Sequence, residues 1–138
     1  MKFNKVFLGG TCADTKWRDE LIGMIQIDFF NPVVDDWTER CIDIENVEKS
    51  TLCNVHLYVI TSEMIGYYSI AEVVQSSLTV GVSTILHIIP DGFNEGQLRS
   101  LEAVRGLVIG NGAIAYVDSD LLRTARVINC AFKTTDFS

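Results

Sequence analysis

Glu72 is the residue whose surroundings most invite chemistry. It follows the stretch Ser62-Glu63-Met64-Ile65-Gly66-Tyr67-Tyr68-Ser69-Ile70-Ala71. That stretch offers hydroxyls, two phenols and a glycine just ahead of a helical pattern. A carboxylate at the positive end of a helix is favoured in its ionised form. Beside a glycosidic carbon, an ionised carboxylate can stabilise an oxocarbenium-like transition state or attack it. The same spacing has an ordinary reading as well, because Ser69-x-x-Glu72 matches a capping box that needs no function. Tyr67 and Tyr68 can stack on or hydrogen-bond to a base or sugar, or divide between core and surface.

Two further segments could face the same ligand. In Leu8-Gly9-Gly10-Thr11-Cys12 the glycines let the backbone turn sharply and let a ligand approach. Thr11 supplies a hydroxyl, and the next helix supplies free N–H groups. A tight strand-to-helix turn would use the same residues, and no G-x-G-x-x-G is present. In Asn31-Pro32-Val33-Val34-Asp35-Asp36-Trp37, Pro32 stops a strand and Asp35 or Asp36 can cap the next helix. Asn31 and the remaining aspartate can face the pocket. The candidate ligand-binding set is therefore Gly9, Gly10, Thr11, Asn31, Asp36, Gly66, Tyr67, Tyr68 and Ser69, with Glu72 as the candidate catalytic residue.

Other polar residues read as structural. His56 and His87 are single polar positions in apolar runs, and so are expected to be satisfied sheet residues. Glu45 and Glu48 read as solvated helix charges. The four cysteines show no C-x-x-C spacing, and the spacing of the two histidines suggests no zinc site. The sequence calls for no metal and no cofactor.

These loops need elements to position them. Five apolar runs, Lys5–Leu8, Ile25–Phe30, His56–Thr61, Thr84–Ile89 and Ile114–Val117, read as strands buried on both faces. Helical spacing fills the intervals over Lys16–Met24, Asp36–Asn54, Ser69–Val80 and Asn94–Ile109, with a last helix over Asp120–Cys130. In the second of these, Trp37, Cys41, Ile44, Val47 and Leu52 are spaced to face one side. Strand and helix alternating at this rhythm predict a single α/β domain over residues 1–138. The expected architecture is a flavodoxin-like, doubly wound, five-stranded parallel sheet of order 2-1-3-4-5. In such a sheet the ligand sits beyond the carboxyl ends of the strands. That rule selects the loops Gly9–Asp14, Asn31–Asp36, Ser62–Tyr68 and Pro90–Glu95.

Composition narrows the partners. The chain is 48% hydrophobic and 21% charged, which supports a packed core and excludes a disordered chain. A net charge of −7 without a basic stripe argues against a nucleic-acid polymer as partner. No apolar segment reaches the ~18 residues needed to span a bilayer, so no membrane partner is expected. The apolar run Val6–Gly10 is too short for a secretory signal. A cytoplasmic protein with unpaired cysteines is expected.

Taken in order, Lys5-Val6-Phe7-Leu8-Gly9-Gly10-Thr11, Trp17-Arg18, Phe30-Asn31-Pro32 with Asp36-Trp37, and Ser69-Ile70-Ala71-Glu72 resemble the nucleoside 2-deoxyribosyltransferase-like superfamily. The resemblance extends from about Lys5 to Ile89. It implies a flavodoxin-like fold and cleavage or transfer at the N-glycosidic bond of a deoxynucleoside or nucleotide. It implies Glu72 as the nucleophile, with Gly9, Gly10, Thr11 and Asn31 holding sugar or phosphate. It also implies a homo-oligomer. Two positions depart from the pattern: Gly66 stands where transferases of the family carry an aspartate, and Asn54 replaces an aspartate before the third strand. A second carboxylate to handle the base would then come from Glu45, Glu48 or Glu63. Two functions follow, an enzyme acting through Glu72, or a protein that binds or sequesters a nucleotide or nucleotide-derived signal without turnover.

Overall fold

The structure is a computed structural model and describes residues 4–12, 15–33 and 38–132. The chain runs β1 (Lys5–Gly10), α1 (Trp17–Ile22), β2 (Asp28–Phe30), α2 (Glu39–Val47), a π-helical turn (Glu48–Leu52) and β3 (Val55–Ile60). It continues through α3 (Tyr68–Ser77), β4 (Ser83–Ile88), α4 (Glu95–Gly110), β5 (Ile114–Val117) and α5 (Leu122–Ala131). The five strands form one sheet in the order β2-β1-β3-β4-β5, and every pairing is parallel. This is the flavodoxin-like arrangement expected from the sequence.

The apolar runs become strands because both faces of the sheet are covered. All six residues of β3 are buried. Val55, Leu57 and Val59 pack with Trp17 and Leu21 of α1 and with Ala125 and Ile128 of α5. Tyr58 and Ile60, pointing the other way, pack with Val73 of α3 and with Leu101 and Val108 of α4. The period of two along the strand thus feeds two separate cores. The α4 start is sharply defined: the Asn94 side chain accepts from Gln97 N–H at 2.8 Å, and Gln97 Oε1 accepts from Asn94 N–H at 2.9 Å. No helix among the described residues is long and apolar enough to cross a membrane.

The region between β2 and β3 differs from the sequence expectation. The strand expected over Ile25–Phe30 pairs only over Asp28–Phe30, while Ile25 and Ile27 pack into the core beside it. The following helix is shorter than Asp36–Asn54, and it is capped at Thr38. Asp35, Asp36 and Trp37 lie outside the described residues. Ile44, Val47 and Leu52, expected to be buried on one side, are each about half exposed. A three-residue edge strand leaves little sheet for α2 to cover. The α-helix also gives way to the π-helical turn after Val47, which changes the face presented by Lys49.

Candidate functional site

A cavity of about 520 Å³ opens at the carboxyl ends of β1 and β3. The first loop forms one wall, α2 and the π-helical turn a second, and the start of α3 with its preceding loop a third. This is the position where β1 and β3 diverge in connectivity, the topological switch point of the sheet.

The first loop is locked from inside. Gly10 has φ +111°, and a Cβ there would lie 2.2 Å from the Val59 carbonyl oxygen. Only glycine fits that combination of φ and close strand approach. At Gly9 a Cβ would come within 2.8 Å of the Tyr58 ring, so this glycine makes room for the phenol beneath it. Arg18 is buried and gathers the loop carbonyls. Its Nε donates to Leu8 O at 2.9 Å, Nη1 to Thr11 O at 2.6 Å and Nη2 to Gly10 O at 3.3 Å. Burial lowers the pKa of this guanidinium. Thr11 also lines the cavity, but its hydroxyl is engaged: it accepts from Thr61 N–H at 2.9 Å. The loop therefore shapes the wall with its backbone, and the Thr11 hydroxyl ties β1 to β3.

The opposite wall carries the charge. Glu72 lies in the second turn of α3, with Tyr67 rather than Ser69 at the N-cap position. The capping-box alternative is not realised. Glu72 Oε2 instead meets Lys49 Nζ at 2.5 Å, with both side chains mostly buried. The Lys49 ammonium opposes burial, but its hydrogen bond to Glu72 and the nearby Tyr58 outweigh that cost and raise its pKa. Glu45 lines the cavity from α2. Burial raises the pKa of its carboxyl, the charge on Glu72 adds to the effect, and Lys49 and Arg18 oppose it. The cavity thus holds one carboxylate in an ion pair and a second carboxyl group that retains its proton more readily than an ordinary glutamate.

Of the residues singled out in the sequence, Gly9, Gly10, Thr11, Gly66, Tyr68, Ser69 and Glu72 line the cavity. Tyr68 is 76% exposed at its mouth, where an open aromatic face is available. Tyr67, 80% exposed, does not line it. Asn31 turns its side chain back to accept from Val33 N–H at 3.0 Å and is likewise not part of the wall. Asp36 lies outside the described residues. Among the three candidates for a second carboxylate, Glu45 reaches the cavity, Glu48 pairs with Lys5 at 2.8 Å, and Glu63 borders a different cleft. Asn54 sits at the far end of β3, accepting from Lys5 N–H at 2.9 Å, and braces strand starts. Lys49 and Arg18 carry the site's positive charge, and neither was in the candidate set. The sequence signal for Lys49 was its position four residues after Glu45, a spacing that usually marks a surface pair.

Compared with models of protein families, with curated proteins and with solved structures, the chain matches none.

Proposed function

We propose that this cavity binds a nucleoside or nucleotide and that Glu72 attacks C1′ of its sugar, cleaving the N-glycosidic bond or transferring the glycosyl group. One observation carries the reading. The Glu72 carboxylate is on the cavity wall, gripped by an ammonium, where a cap would have turned it back to its own helix. Lys49 holds Oε2, leaving Oε1 as the attacking atom. As the C1′–Oε1 bond forms, the C1′–N bond breaks and its electron pair goes to the base. Glu45, with its raised pKa, supplies the proton that the departing base takes up. Water or a second base then opens the glycosyl ester, and Glu45 recovers a proton. Tyr68 at the mouth offers a stacking surface for the base. The order of motifs along the chain supports the same chemistry by resemblance.

A second reading is sequestration of a nucleotide without turnover. The Lys49 contact favours it by drawing charge from the carboxylate that would attack, and by resemblance Gly66 stands where transferases of the family carry an aspartate. Incubation with a panel of nucleosides, nucleotides and dinucleotides, followed by chromatography, separates the readings. Released base supports the enzyme; a retained, unchanged ligand supports sequestration. The setting that goes with either is cytosolic, and the four cysteines are all free. A homo-oligomer belongs to the same proposal, with the half-exposed Ile42, Ile44 and Val47 of α2 at the contact. Light scattering at micromolar concentration is expected to give at least a dimer mass, and a monomer mass rejects it.

A further inference from the structure

His56 connects the two elements that carry the ion pair. Its Nε2 lies 2.7 Å from the main-chain oxygen of Lys49, in the π-helical turn. Its Nδ1 lies 2.9 Å from Ser76 Oγ, in α3. Ser76 stands four residues after Glu72, so it shares a helix face with that carboxylate. Tyr58 completes the chain, with its hydroxyl 2.6 Å from Ser76 Oγ. The Lys49 ammonium is 5.9 Å from the centre of the Tyr58 ring.

The directions of these bonds follow from one fixed end. A carbonyl oxygen only accepts, so Nε2 of His56 carries the proton. Burial favours the neutral ring, in which Nδ1 is an acceptor, and the Ser76 hydroxyl donates to it. The Ser76 oxygen in turn accepts from the Tyr58 hydroxyl. Every member is satisfied, in a site closed to water, with a neutral imidazole at its centre. The glutamate and the lysine are thus tied to one another twice, once through their side chains and once through the imidazole beneath them.

We propose that His56, with Ser76 and Tyr58, is a positioning residue that sets the spacing of Lys49 and Glu72 by bridging the two elements that bear them. Its consequence for turnover rests on the reading of Glu72 as nucleophile; its consequence for the ion pair does not. A π-helical turn supports the idea, because such turns concentrate where a backbone is bent to present a side chain. His87 provides an internal control. It makes the same pattern of contacts, to Thr124 Oγ1 at 2.6 Å and to Asp118 O at 2.8 Å, but bridges elements that contribute nothing to the cavity.

The test uses the full chain labelled with ¹⁵N-lysine, read by the ammonium resonance of Lys49 and assigned by its loss in Lys49→Arg. The wild type is expected to show a resolved, slowly exchanging Lys49 signal. His56→Leu and Ser76→Ala are expected to lose it, Ser76→Thr to retain it, and His87→Leu to retain it. If His56→Leu does not fold, Ser76→Ala against Ser76→Thr decides the matter. A signal that persists in Ser76→Ala or His56→Leu, a wild type with no such signal, or an equal loss in a folded His87→Leu overturns the proposal. With a turned-over substrate in hand, Ser76→Ala is further expected to lower kcat with KM unchanged. If no substrate is turned over, the glycosidic reading fails while the lysine signal still decides this one.

Discussion

Two buried histidines on adjacent strands of the same sheet are wired alike and do different work. His56 of β3 bonds through Nδ1 to Ser76, which bonds to Tyr58; His87 of β4 bonds through Nδ1 to Thr124, which bonds to Tyr116. Each Nε2 meets a main-chain carbonyl, of Lys49 in one case and Asp118 in the other. The two networks lie on opposite faces. The His56 network packs against α3 below the cavity, whereas the His87 network packs against α5. The chemistry of the polar triad is therefore common to both, and its meaning comes from what the held carbonyl belongs to. Next to Asp118 it closes a loop onto the sheet. Next to Lys49 it fixes the cation that faces Glu72.

The largest effect is expected where the two sides are covered differently. Glycines of the first loop lie against Tyr58 and β3, whereas the ring of Tyr116 in the His87 network is covered by the Arg123 guanidinium. Gly10→Ala forces a Cβ against the Val59 carbonyl at φ +111°. It is expected to cost about 3 kcal/mol or more from backbone strain and overpacking together. Chemical denaturation checks it, and a loss below about 1 kcal/mol means the loop yields more easily than its geometry implies.

A matched pair of changes sharpens the comparison itself. His56→Leu and His87→Leu each remove the donor to a main-chain carbonyl and the acceptor of a buried hydroxyl proton, while the hydroxyl oxygen keeps its tyrosine. Each is expected to cost about 2–3 kcal/mol. Equal losses of stability with unequal losses of ligand binding or turnover separate the two networks. Equal losses of both would show the two histidines to be interchangeable structural residues.

Acid adds a smaller, graded effect. Burial lowers the pKa of both imidazoles below the unfolded value of about 6.5. Below that pH the unfolded chain binds more protons than the native one. The stability from these groups is complete above about pH 6.5 and falls as pH drops through the native values. Denaturant midpoints measured from neutral to mildly acidic pH should decline, and each single histidine variant should flatten part of that decline. A midpoint that rises toward acid in this window contradicts the neutral assignment.

Much of this was legible in the sequence because it rests on period and punctuation. The doubly buried strands read as continuous apolar runs, and the helix expected over Asn94–Ile109 is found at Glu95–Gly110. Strand order followed from those runs, and the switch point followed from the order. The two histidines were legible as satisfied sheet residues, but not the partners that satisfy them, which lie between 7 and 37 residues away. Thr11 and Asn31 looked like ligand groups because their side chains can bond a sugar. The same groups bond a nearby backbone as readily, and here they do. Lys49 reads in the sequence only as a surface partner of Glu45, because its aim depends on a π-helical turn, a local departure that periodicity at 3.6 residues cannot register. Glu72 was ambiguous for a related reason: a cap and a pocket carboxylate share one spacing, and only the helix start, one residue before Ser69, separates them.

The most direct measurement is the mass of the Glu72-containing peptide after brief incubation with nucleosides and nucleotides, alongside product analysis of wild type and Glu72→Gln. The expected result is a glycosyl adduct on the wild-type peptide, free base in solution, and neither with Glu72→Gln, which keeps the shape, loses nucleophilicity and melts somewhat lower because Lys49 loses its charged partner, so its assays are run well below that melting temperature. Full glycosidic activity in Glu72→Gln, or tight stoichiometric binding by a wild type that never releases base, would contradict it.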